Sequence, residues 1–355
     1  ILLRNLIDRA AKAERFIFLE YFILAEGKLW DELEKILCAK AREGVEVKII
    51  FDDFGNIKRF SGETIDRLRE VGVEVFIFNP VHEYVNRLHF NYRDHRKIAC
   101  IDGDVAYTGG VNIADEYANI IERFGYWKDS GVCLEGDGAW GLTASFIRMC
   151  VNLGGVMHNE HDYYRPHTPV KSEGFCQPFT DGPQNNPDNP AEDVFLQMIS
   201  GARRFLYITT PYFIPDESLM RALCIAGDGG VDVRLMLPGK PDHWYADCVA
   251  ESYFGELIKH GVKVYRYTPG FLHGKSIMVD RVAAFVGSVN MDYRSFELDY
   301  ECGVMVYGAP MIESLLEDMD MIVDHSRLVT KEEWAKRSVL RRVFEPLLRL
   351  FAIWM

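Results

Sequence analysis

Residues 95–112 read HRKIACIDGDVAYTGGVN, and residues 273–290 read HGKSIMVDRVAAFVGSVN. The two stretches share His, Lys, Asp, Gly and Asn at five fixed spacings, and every aligned position is offset by 178 residues. Unrelated segments rarely agree in this way, so we interpret the pair as an internal duplication. The duplication predicts that the chain folds as two similar halves.

The similarity extends outward from both stretches. Residues 14–53 and 202–237 each contain an apolar run, a turn, a segment of helical period and a second apolar run. A further helix in each half ends in nearly the same sequence, LREVGVEVFIFNP at 68–80 and LIKHGVKVYRYTP at 257–269. Apolar strands that alternate with helices predict an α/β fold whose sheets are covered by layers on both faces.

The length of 355 residues also favours two halves, because it exceeds what one ordinary core holds. We predict a first half at 1–165, a connecting loop at 166–190, a second half at 191–330 and an amphipathic C-terminal helix at 331–355. The loop is rich in proline, glycine and asparagine and has no periodicity. Such a segment either lies over the site of an enzyme or serves only as a linker.

The composition excludes several classes of protein. With 48% hydrophobic residues the chain can bury a large core, which excludes a disordered protein. The formal charge of −13 repels polyanions such as duplex DNA, so an anionic substrate must be bound by local positive charge and no nucleic-acid partner is expected. The eight cysteines form no CxxC pair, which indicates reduced thiols in a cytosol-like compartment.

The duplicated stretches carry the candidate chemistry. His95 and Lys97 are two residues apart on a predicted strand, as are His273 and Lys275, so each half presents an imidazole and an ammonium on one face. Two imidazoles and two ammoniums suit a tetrahedral anion held where the halves meet. One neutral imidazole could attack phosphorus while the other, protonated, gives its proton to the leaving oxygen. The residues alone leave open which histidine attacks.

The end of each stretch adds polar and small residues. Asp102 and Asp280 follow the strand at a tight turn, and the strand period places Asp102 outside the row of His95, so both aspartates are expected to anchor the turn. Asn112 and Asn290 could donate amide hydrogens to the anion and, with the lysines, stabilise charge in the transition state. No metal is needed, and the scattered histidines at 158, 161 and 167 have no recognised ligand spacing.

These motifs resemble the phospholipase D superfamily, whose members carry HxKxxxxD twice. Within it the chain is similar to bacterial cardiolipin synthases over nearly all of residues 10–325. The similarity lies in the following phrases: NYRDHRKIACIDGDVAYTGGVNIADEY, RFGYWKDSGVCLEG, QPFTDGP, TTPYFIPDESL, GFLHGKSIMVD and GSVNMDYRSFELDYE. The resemblance implies a duplicated phospholipase D fold, with two α/β/α sandwich halves, mixed sheets related by a pseudo-twofold axis and the active site at their interface.

The resemblance also implies roles for single residues. His95 would be the nucleophile that forms a phosphohistidine, and His273 the general acid and then base. An acidic residue downstream in each half, Asp129 and Glu301, would orient the histidine. The family places Asp102 in the catalytic set as well. The remaining members of the implied set are Lys97, Lys275 and Asp280 as catalytic residues, and Asn112, Asn290, Gly110 and Ser288 as phosphate-binding residues.

The activity implied is phosphatidyl transfer from one phosphatidylglycerol to another, with release of glycerol and without a cofactor. Phospholipase D hydrolysis and phosphatidylserine synthesis use the same site and remain alternatives, because acceptor choice depends on a few pocket contacts. A superfamily nuclease is disfavoured by the acidic balance of the chain, and a non-catalytic lipid-binding module by the completeness of both motifs.

A lipid substrate predicts contact with an anionic membrane surface. We expect a bacterial cell-membrane protein whose catalytic part lies on the cytoplasmic side, anchored by an N-terminal segment absent from this chain, since the sequence begins at Ile1 without a methionine and contains no apolar run of about 18 residues. Basic and apolar residues alternate at helical spacing in 336–355. Two interpretations stay open there, a helix lying on the bilayer and a helix docked on the core.

Overall fold

A computed structural model describes residues 2–81, 91–159, 162–337 and 348–349. The first half contains strands β1 (Phe16–Tyr21), β2 (Glu46–Asp52), β3 (Glu74–Phe78), β4 (Arg93–Asp94), β5 (Lys97–Ile101), β6 (Val105–Gly109), β7 (Tyr126–Lys128) and β8 (Gly131–Glu135). Its helices are α1 (Leu2–Ala10), α2 (Lys28–Arg42), α3 (Asp53–Asn56), α4 (Gly62–Glu70) and α5 (Trp140–Asn152).

The second half repeats this order with additions. Its strands are β9 (Phe175–Asp181), β10 (Phe205–Thr209), β11 (Phe213–Ile214), β12 (Asp232–Pro238), β13 (Lys263–Tyr267), β14 (Gly270–Leu272), β15 (Ser276–Val279), β16 (Ala283–Gly287), β17 (Met291–Asp292), β18 (Asp299–Tyr307) and β19 (Ser326–Leu328). Its helices are α6 (Pro190–Gly201), α7 (Glu217–Asp228), α8 (Trp244–Lys259), α9 (Tyr293–Glu297), α10 (Met311–Asp324) and α11 (Lys331–Ala335).

The two large sheets have the same strand order. The first runs β3-β2-β1-β5-β6-β8, and the second contains β13-β12-β10-β15-β16-β18. In each sheet the first three strands are parallel and the next joins antiparallel, as β5 does on β1 and β15 on β10. The mixed, duplicated α/β fold predicted from the sequence is therefore confirmed.

Helices and a second sheet cover both faces of each sheet. The outer face of the first sheet packs on α1 and α2, and that of the second sheet packs on α6, α7 and α8. The inner faces of both sheets share one hydrophobic core with α5 and α10. Strand β1 is buried at every position, including Glu20, which is what a strand covered on two sides requires. The shared core fixes one half against the other, and the predicted site residues lie at this junction.

The connecting segment differs from its prediction. Residues 166–190 were expected to form a loop, but β9 runs antiparallel to β18 along the full length of β9. Phe175, Phe179 and Thr180 are good strand formers, and the edge position tolerates Pro178 because a proline cannot donate to a second neighbour. Strand β9 could not be predicted from the sequence, because proline and glycine interrupt its apolar pattern and its partner β18 is more than a hundred residues away. The boundaries of the halves stay predictions.

The C-terminal segment is described only in part. Helix α11 begins with a capping box between Thr330 and Glu333, and the indole of Trp334 donates to the carbonyl of Glu251 on α8 at 3.3 Å. The beginning of this segment is therefore docked on the second half. Residues 338–347 and 350–355, on which most of the predicted amphipathic helix falls, lie outside the described residues. Within the described part of the chain, no helix combines the length and the hydropathy needed to cross a bilayer.

Candidate active site

Both motif histidines lie where the halves meet. The backbone N–H of His95 donates to the carbonyl of Tyr300 in the second half at 2.9 Å, and that of His273 donates to the carbonyl of Lys128 in the first half at 2.7 Å. Strands β4 and β7 supply these contacts because each pairs with a strand of the opposite half, β4 with β18 and β7 with β14. The backbone of each histidine is thus fixed by the half to which it does not belong.

The carboxylate partners are exchanged between the halves. Nδ1 of His95 lies 2.9 Å from Oε1 of Glu301, and Nδ1 of His273 lies 2.7 Å from Oδ2 of Asp129. The motif pattern led us to expect a histidine and its carboxylate within one half. The structure instead places them across the interface, so neither half alone contains a complete histidine–carboxylate pair.

Buried lysines accompany the histidines. The ammonium of Lys275 donates to the carbonyl of His273 at 2.6 Å and lies 3.0 Å from Nε2 of the same residue, while the ammonium of Lys97 donates to the carbonyl of His95. Burial lowers the pKa of Lys97 to about 8 and that of Lys275 to about 7, against the attraction of nearby carboxylates. These ammoniums carry poorly solvated positive charge, which favours the binding of an anion.

The pKa values of both imidazoles lie below the ordinary value. Burial and the charge of Lys275 lower the pKa of His273 to about 4, although Asp129 opposes the shift. Burial, followed by the charges of Lys97 and Lys275, holds the pKa of His95 well below its ordinary value. A neutral imidazole whose Nδ1 faces a carboxylate leaves its Nε2 lone pair available, which is the form that a nucleophile needs.

The pKa values of the two carboxylates are shifted in opposite directions. Burial would raise the pKa of Asp129, but the contacts with His273 and Lys275 outweigh it and hold that pKa below its usual value. Burial dominates at Glu301 and raises its pKa well above the usual value. An ionised Asp129 stabilises an imidazolium at His273 better than Glu301 does at His95. The site is therefore symmetric in composition but not in proton affinity.

The aspartates of the two motifs lie apart from the histidine–carboxylate contacts, which differs from the placement that the resemblance implies for catalytic residues. The carboxylate of Asp102 accepts the backbone N–H groups of residues 14–16 at 2.7–2.9 Å, and that of Asp280 accepts those of residues 203–205 at 2.7–2.8 Å. Both residues have a positive φ, 53° and 51°, in the tight turn after β5 and β15. Their oxygens are occupied in fixing the start of β1 and β10, as the strand period suggests.

Gly110 and Ser288 also differ from their predicted phosphate-binding role. The N–H of Gly110 donates to the carbonyl of Ser130 at 3.0 Å, and the N–H of Ser288 to that of Cys302 at 2.8 Å, so neither amide is available to a phosphate. A Cβ at Gly110 would lie 2.2 Å from Oδ1 of Asp129. Glycine is required there so that the carboxylate can reach His273, and the hydroxyl of Ser288 donates to Glu301.

The two asparagines have different surroundings. Asn112 accepts the N–H of Ile23 at 3.0 Å and donates to the hydroxyl of Tyr117 at 2.8 Å, which leaves one amide hydrogen for a ligand. Asn290 is buried, and its Oδ1 has no hydrogen-bond partner among the described residues. Its backbone N–H donates to Ser295 at 3.1 Å. The amide of Asn290 is thus the less constrained of the two.

Several residues around the site were not identified from the sequence. The hydroxyl of Ser295 donates to Oε1 of Glu301 at 2.8 Å, and its position three residues after Asp292, the cap of α9, was the available signal. The rings of Tyr117, Trp127 and Phe271 surround that of His273, with centroids 5.2–5.6 Å away. These contacts depend on the interface and leave no local pattern in the sequence.

One acidic cluster includes a site histidine. Ligand atoms of His95, Asp299 and Glu301 lie within 4.8 Å of one another, a spacing that could hold a cation. The two oxygens of Glu301 already accept from His95, Ser288 and Ser295, and Asp299 pairs with Arg294 at 3.2 Å. The negative charge of this cluster is therefore offset by protein groups, and its residues do not call for a metal.

Comparison with known proteins identifies the family of this chain. The family model "cardiolipin synthase, PLD-like domain" matches residues 3–120 and 195–323. Cardiolipin synthases of Halalkalibacterium halodurans and Clostridium perfringens are both 37% identical to this chain; the matches cover 96% and 98% of it and 67% and 74% of those proteins. An uncharacterised protein of Streptococcus mutans is 38% identical, over 96% of this chain and 74% of its own length.

A solved structure has the same fold at much lower identity. Phosphatidylserine synthase of Haemophilus influenzae superimposes with a TM-score of 0.71 over 99% of this chain and 90% of its own, at 15% identity. That likeness concerns the fold alone. The family model covers most of the chain in two blocks, one in each half, and the curated relatives extend across both. The chain therefore belongs to the cardiolipin synthase family of phospholipase D-like proteins.

Proposed function

We propose that the protein is a phosphatidyltransferase that makes cardiolipin from two molecules of phosphatidylglycerol. The observation that carries the proposal is the pair of crossed histidine–carboxylate contacts, each flanked by a buried lysine. Two imidazoles and two ammoniums around one space suit a phosphodiester that exchanges one alcohol for another. The family membership supports the lipid nature of that phosphodiester.

In the first half-reaction, Nε2 of His95 attacks the phosphorus of phosphatidylglycerol. The bond from phosphorus to the headgroup glycerol oxygen breaks, and His273 gives that oxygen a proton, so free glycerol leaves and a phosphatidyl group stays on His95. Lys97 and Lys275 stabilise charge on the non-bridging oxygens. Because burial lowers the pKa of His273 to about 4, we infer that the anionic substrate raises the proton affinity of His273 as it binds.

In the second half-reaction, the free glycerol hydroxyl of another phosphatidylglycerol attacks the phosphorus. His273 accepts the hydroxyl proton, the bond from phosphorus to Nε2 breaks, and cardiolipin is released. The number of phosphodiesters is conserved, so the exchange needs no nucleotide. Water would give phosphatidic acid instead, and the burial of the motif residues supports its exclusion.

The unequal carboxylates support the assignment of His95 as the nucleophile. The general acid must hold a proton in the complex, and the ionised Asp129 stabilises that proton on His273. His95 faces Glu301, whose burial disfavours its charge, and so remains neutral more readily. The sequence does not distinguish the two imidazoles. The different carboxylates that they contact give a reason to assign the attack to His95 and the proton transfer to His273.

We further propose that the protein works on the cytoplasmic side of the bacterial cell membrane, with an N-terminal anchor outside this chain. The support is the lipid substrate proposed above, which resides in a bilayer. The same site could also pass the phosphatidyl group to water or to serine, so the acceptor must be identified by experiment.

The test is product analysis by mass spectrometry after incubation with phosphatidylglycerol in mixed micelles, with EDTA present throughout. We expect cardiolipin and an equal amount of free glycerol. The His273→Ala variant should lose turnover, whereas His260→Ala, which removes a partly exposed histidine at the end of α8, should not. Phosphatidic acid as the only product would make the protein a hydrolase, and the absence of any phospholipid turnover would overturn the proposal.

A further inference from the structure

Exposed apolar side chains collect around the entrance to the site. Exposed fractions range from 40% to 64% for six such residues on three loops: Phe54, Ile57, Ile120, Ile121, Tyr126 and Trp244. We call these six residues the mouth rim. Isolated apolar residues are common on protein surfaces, whereas a group of this size around a site indicates an interaction surface.

Contacts connect the first loop of the rim to the site. The segment of Phe54 and Ile57 follows β2 and packs against Phe22, since a Cβ at Gly55 would lie 2.1 Å from the carbonyl of Phe22. The ring of Phe22 in turn contacts that of His95 edge-on, with centroids 5.2 Å apart. The segment that carries Phe54 therefore contacts a residue whose ring touches the proposed nucleophile.

The second loop of the rim lies beside the first. Arg59 and Arg123 both pair with Glu116 at 3.1 Å, which joins the segment after β2 to the segment of Ile120 and Ile121. Tyr126 opens β7 and precedes Trp127, whose ring centroid is 5.2 Å from that of His273. The second loop therefore borders the site at the second histidine.

The third loop is the equivalent of the first in the other half. Trp244 is the first residue of α8, which follows β12, just as Phe54 lies in α3 after β2. The duplication thus places one exposed aromatic residue after the second parallel strand of each half. Lys240, just before Trp244, reaches the second loop, because a Cβ at Gly125 would lie 3.1 Å from its ammonium nitrogen.

Basic residues lie between the apolar ones. Lys58, Arg123 and Lys240 are exposed on the three loops, one on each. Arg123 pairs with Glu116 and follows the exposed Glu122, so Lys58 and Lys240 are the two cations that can meet lipid phosphates. Aromatic residues among lysines and arginines match the headgroup region of an anionic bilayer, where rings enter the interface and cations meet lipid phosphates.

We propose that the mouth rim docks on an anionic phospholipid bilayer and presents the site to lipids that remain in the membrane. The inference rests on the proposed function, because a phosphatidylglycerol whose acyl chains stay in the bilayer must reach the histidines from that surface. Phe54 and Trp244 enter the interface from the two halves, and Lys58 and Lys240 hold the lipid phosphates.

The test measures co-sedimentation of the protein with vesicles of phosphatidylcholine, alone or mixed with phosphatidylglycerol. We expect Phe54→Ser combined with Trp244→Ser to weaken binding to the mixed vesicles about tenfold or more. The matched control is Phe175→Ser, which removes an 80% exposed aromatic residue of β9 away from the rim and should change binding less than twofold. Equal effects of the rim and control variants would overturn the proposal.

Charge is tested separately. Lys240→Glu should weaken binding to phosphatidylglycerol vesicles by about fivefold or more and leave the weak binding to pure phosphatidylcholine unchanged. Lys171→Glu makes the same charge change at an exposed lysine of the connecting segment and should have little effect. A rim that instead joins two copies of the chain would appear as a dimer in light scattering that the rim variants abolish, which contradicts bilayer docking.

Activity measurements separate this inference from the proposed function. For the double rim variant, we expect the ratio of turnover on vesicles to turnover on short-chain, monomeric phosphatidylglycerol to fall about tenfold. An unchanged ratio with normal cardiolipin synthesis would reject the docking surface and keep the function. If neither substrate gives cardiolipin, the proposed function is rejected. The vesicle binding of the variants would still test whether the mouth rim docks on a bilayer.

Discussion

Glu301 is fully buried among the imidazole of His95 and the hydroxyls of Ser288 and Ser295. We expect Glu301→Gln to lower kcat about a hundredfold or more, because an amide neither orients the imidazole in the same tautomer nor stabilises charge on it. The control is Glu297→Gln, whose carboxylate contacts Asn186 and Asn189 instead. Steady-state kinetics on phosphatidylglycerol give kcat for both variants. Equal values of kcat would exclude a role for Glu301.

Gly110 offers a test of the approach of Asp129 to its histidine. The added methyl group of Gly110→Ala would meet Oδ1 of Asp129 at 2.2 Å and the carbonyl of His273 at 3.0 Å, so we expect activity to fall more than tenfold while the far-ultraviolet circular dichroism is kept. The same change at Gly62, where nothing lies within 4 Å of the new Cβ, should leave activity unchanged. A fully active Gly110→Ala protein would show that this close approach is dispensable.

The pKa of His273, lowered to about 4 in the folded protein, makes stability depend on pH. The unfolded chain binds a proton at this residue below about pH 6.5, whereas the folded protein does not until about pH 4. The unfolded state therefore gains protons first as pH falls, and the free energy of unfolding decreases across that window. His273 alone should account for about 2 kcal/mol between pH 7 and pH 5.

The measurement is urea denaturation of the wild type and of His273→Asn at both pH values. The loss of unfolding free energy on going from pH 7 to pH 5 should be smaller in the variant, because asparagine does not titrate. Identical losses in the two proteins would mean that His273 is protonated alike in the folded and unfolded states.

Among the secondary-structure elements, the aspartates of the two motifs stabilise the start of a strand in each half. The carboxylate of Asp102 accepts three backbone N–H groups at the start of β1, as that of Asp280 does for β10. We expect Asp102→Asn to lower the free energy of unfolding by about 1–3 kcal/mol, since the amide group puts a donor opposite a donor. Asparagine tolerates the positive φ of 53°, so backbone strain is avoided.

The same variant decides between a catalytic and a structural aspartate. Turnover per folded molecule should stay within about threefold of the wild type, because the turn lies apart from the histidine–carboxylate contacts. A loss of kcat as large as that of Glu301→Gln, without a change in unfolding free energy, would return Asp102 to the catalytic set.

The elements also show which parts of the secondary structure can be predicted from the sequence. The strands and helices of each half follow from apolar runs and helical periods, because those signals are local and occur twice. Strand β9 was missed because it pairs with β18, which lies far along the chain. A segment containing Pro178 has the composition of a loop, and only its partner makes it a strand.

For the whole molecule, duplication predicted more of the site than any single motif. It predicts that His95, Lys97, His273 and Lys275 lie together, since a repeated HxK pattern suggests paired groups at a junction. It did not predict that Asp129 serves the histidine of the other half, because the exchange arises from strand pairing across the interface. Likewise, Gly110 and Ser288 support carboxylates of their own halves, a role that depends on distances that the motif does not reveal.

The central claim is that His95 carries the phosphatidyl group while His273 transfers protons. Its most direct test is to incubate the wild type, His95→Asn and His273→Asn with phosphatidylglycerol labelled in its phosphate, quench the mixture in alkali and locate the label by peptide mass spectrometry. We expect label on the peptide that contains His95 in the wild type, slow accumulation there in His273→Asn and none in His95→Asn. Label on His273 in the His95→Asn protein would contradict it.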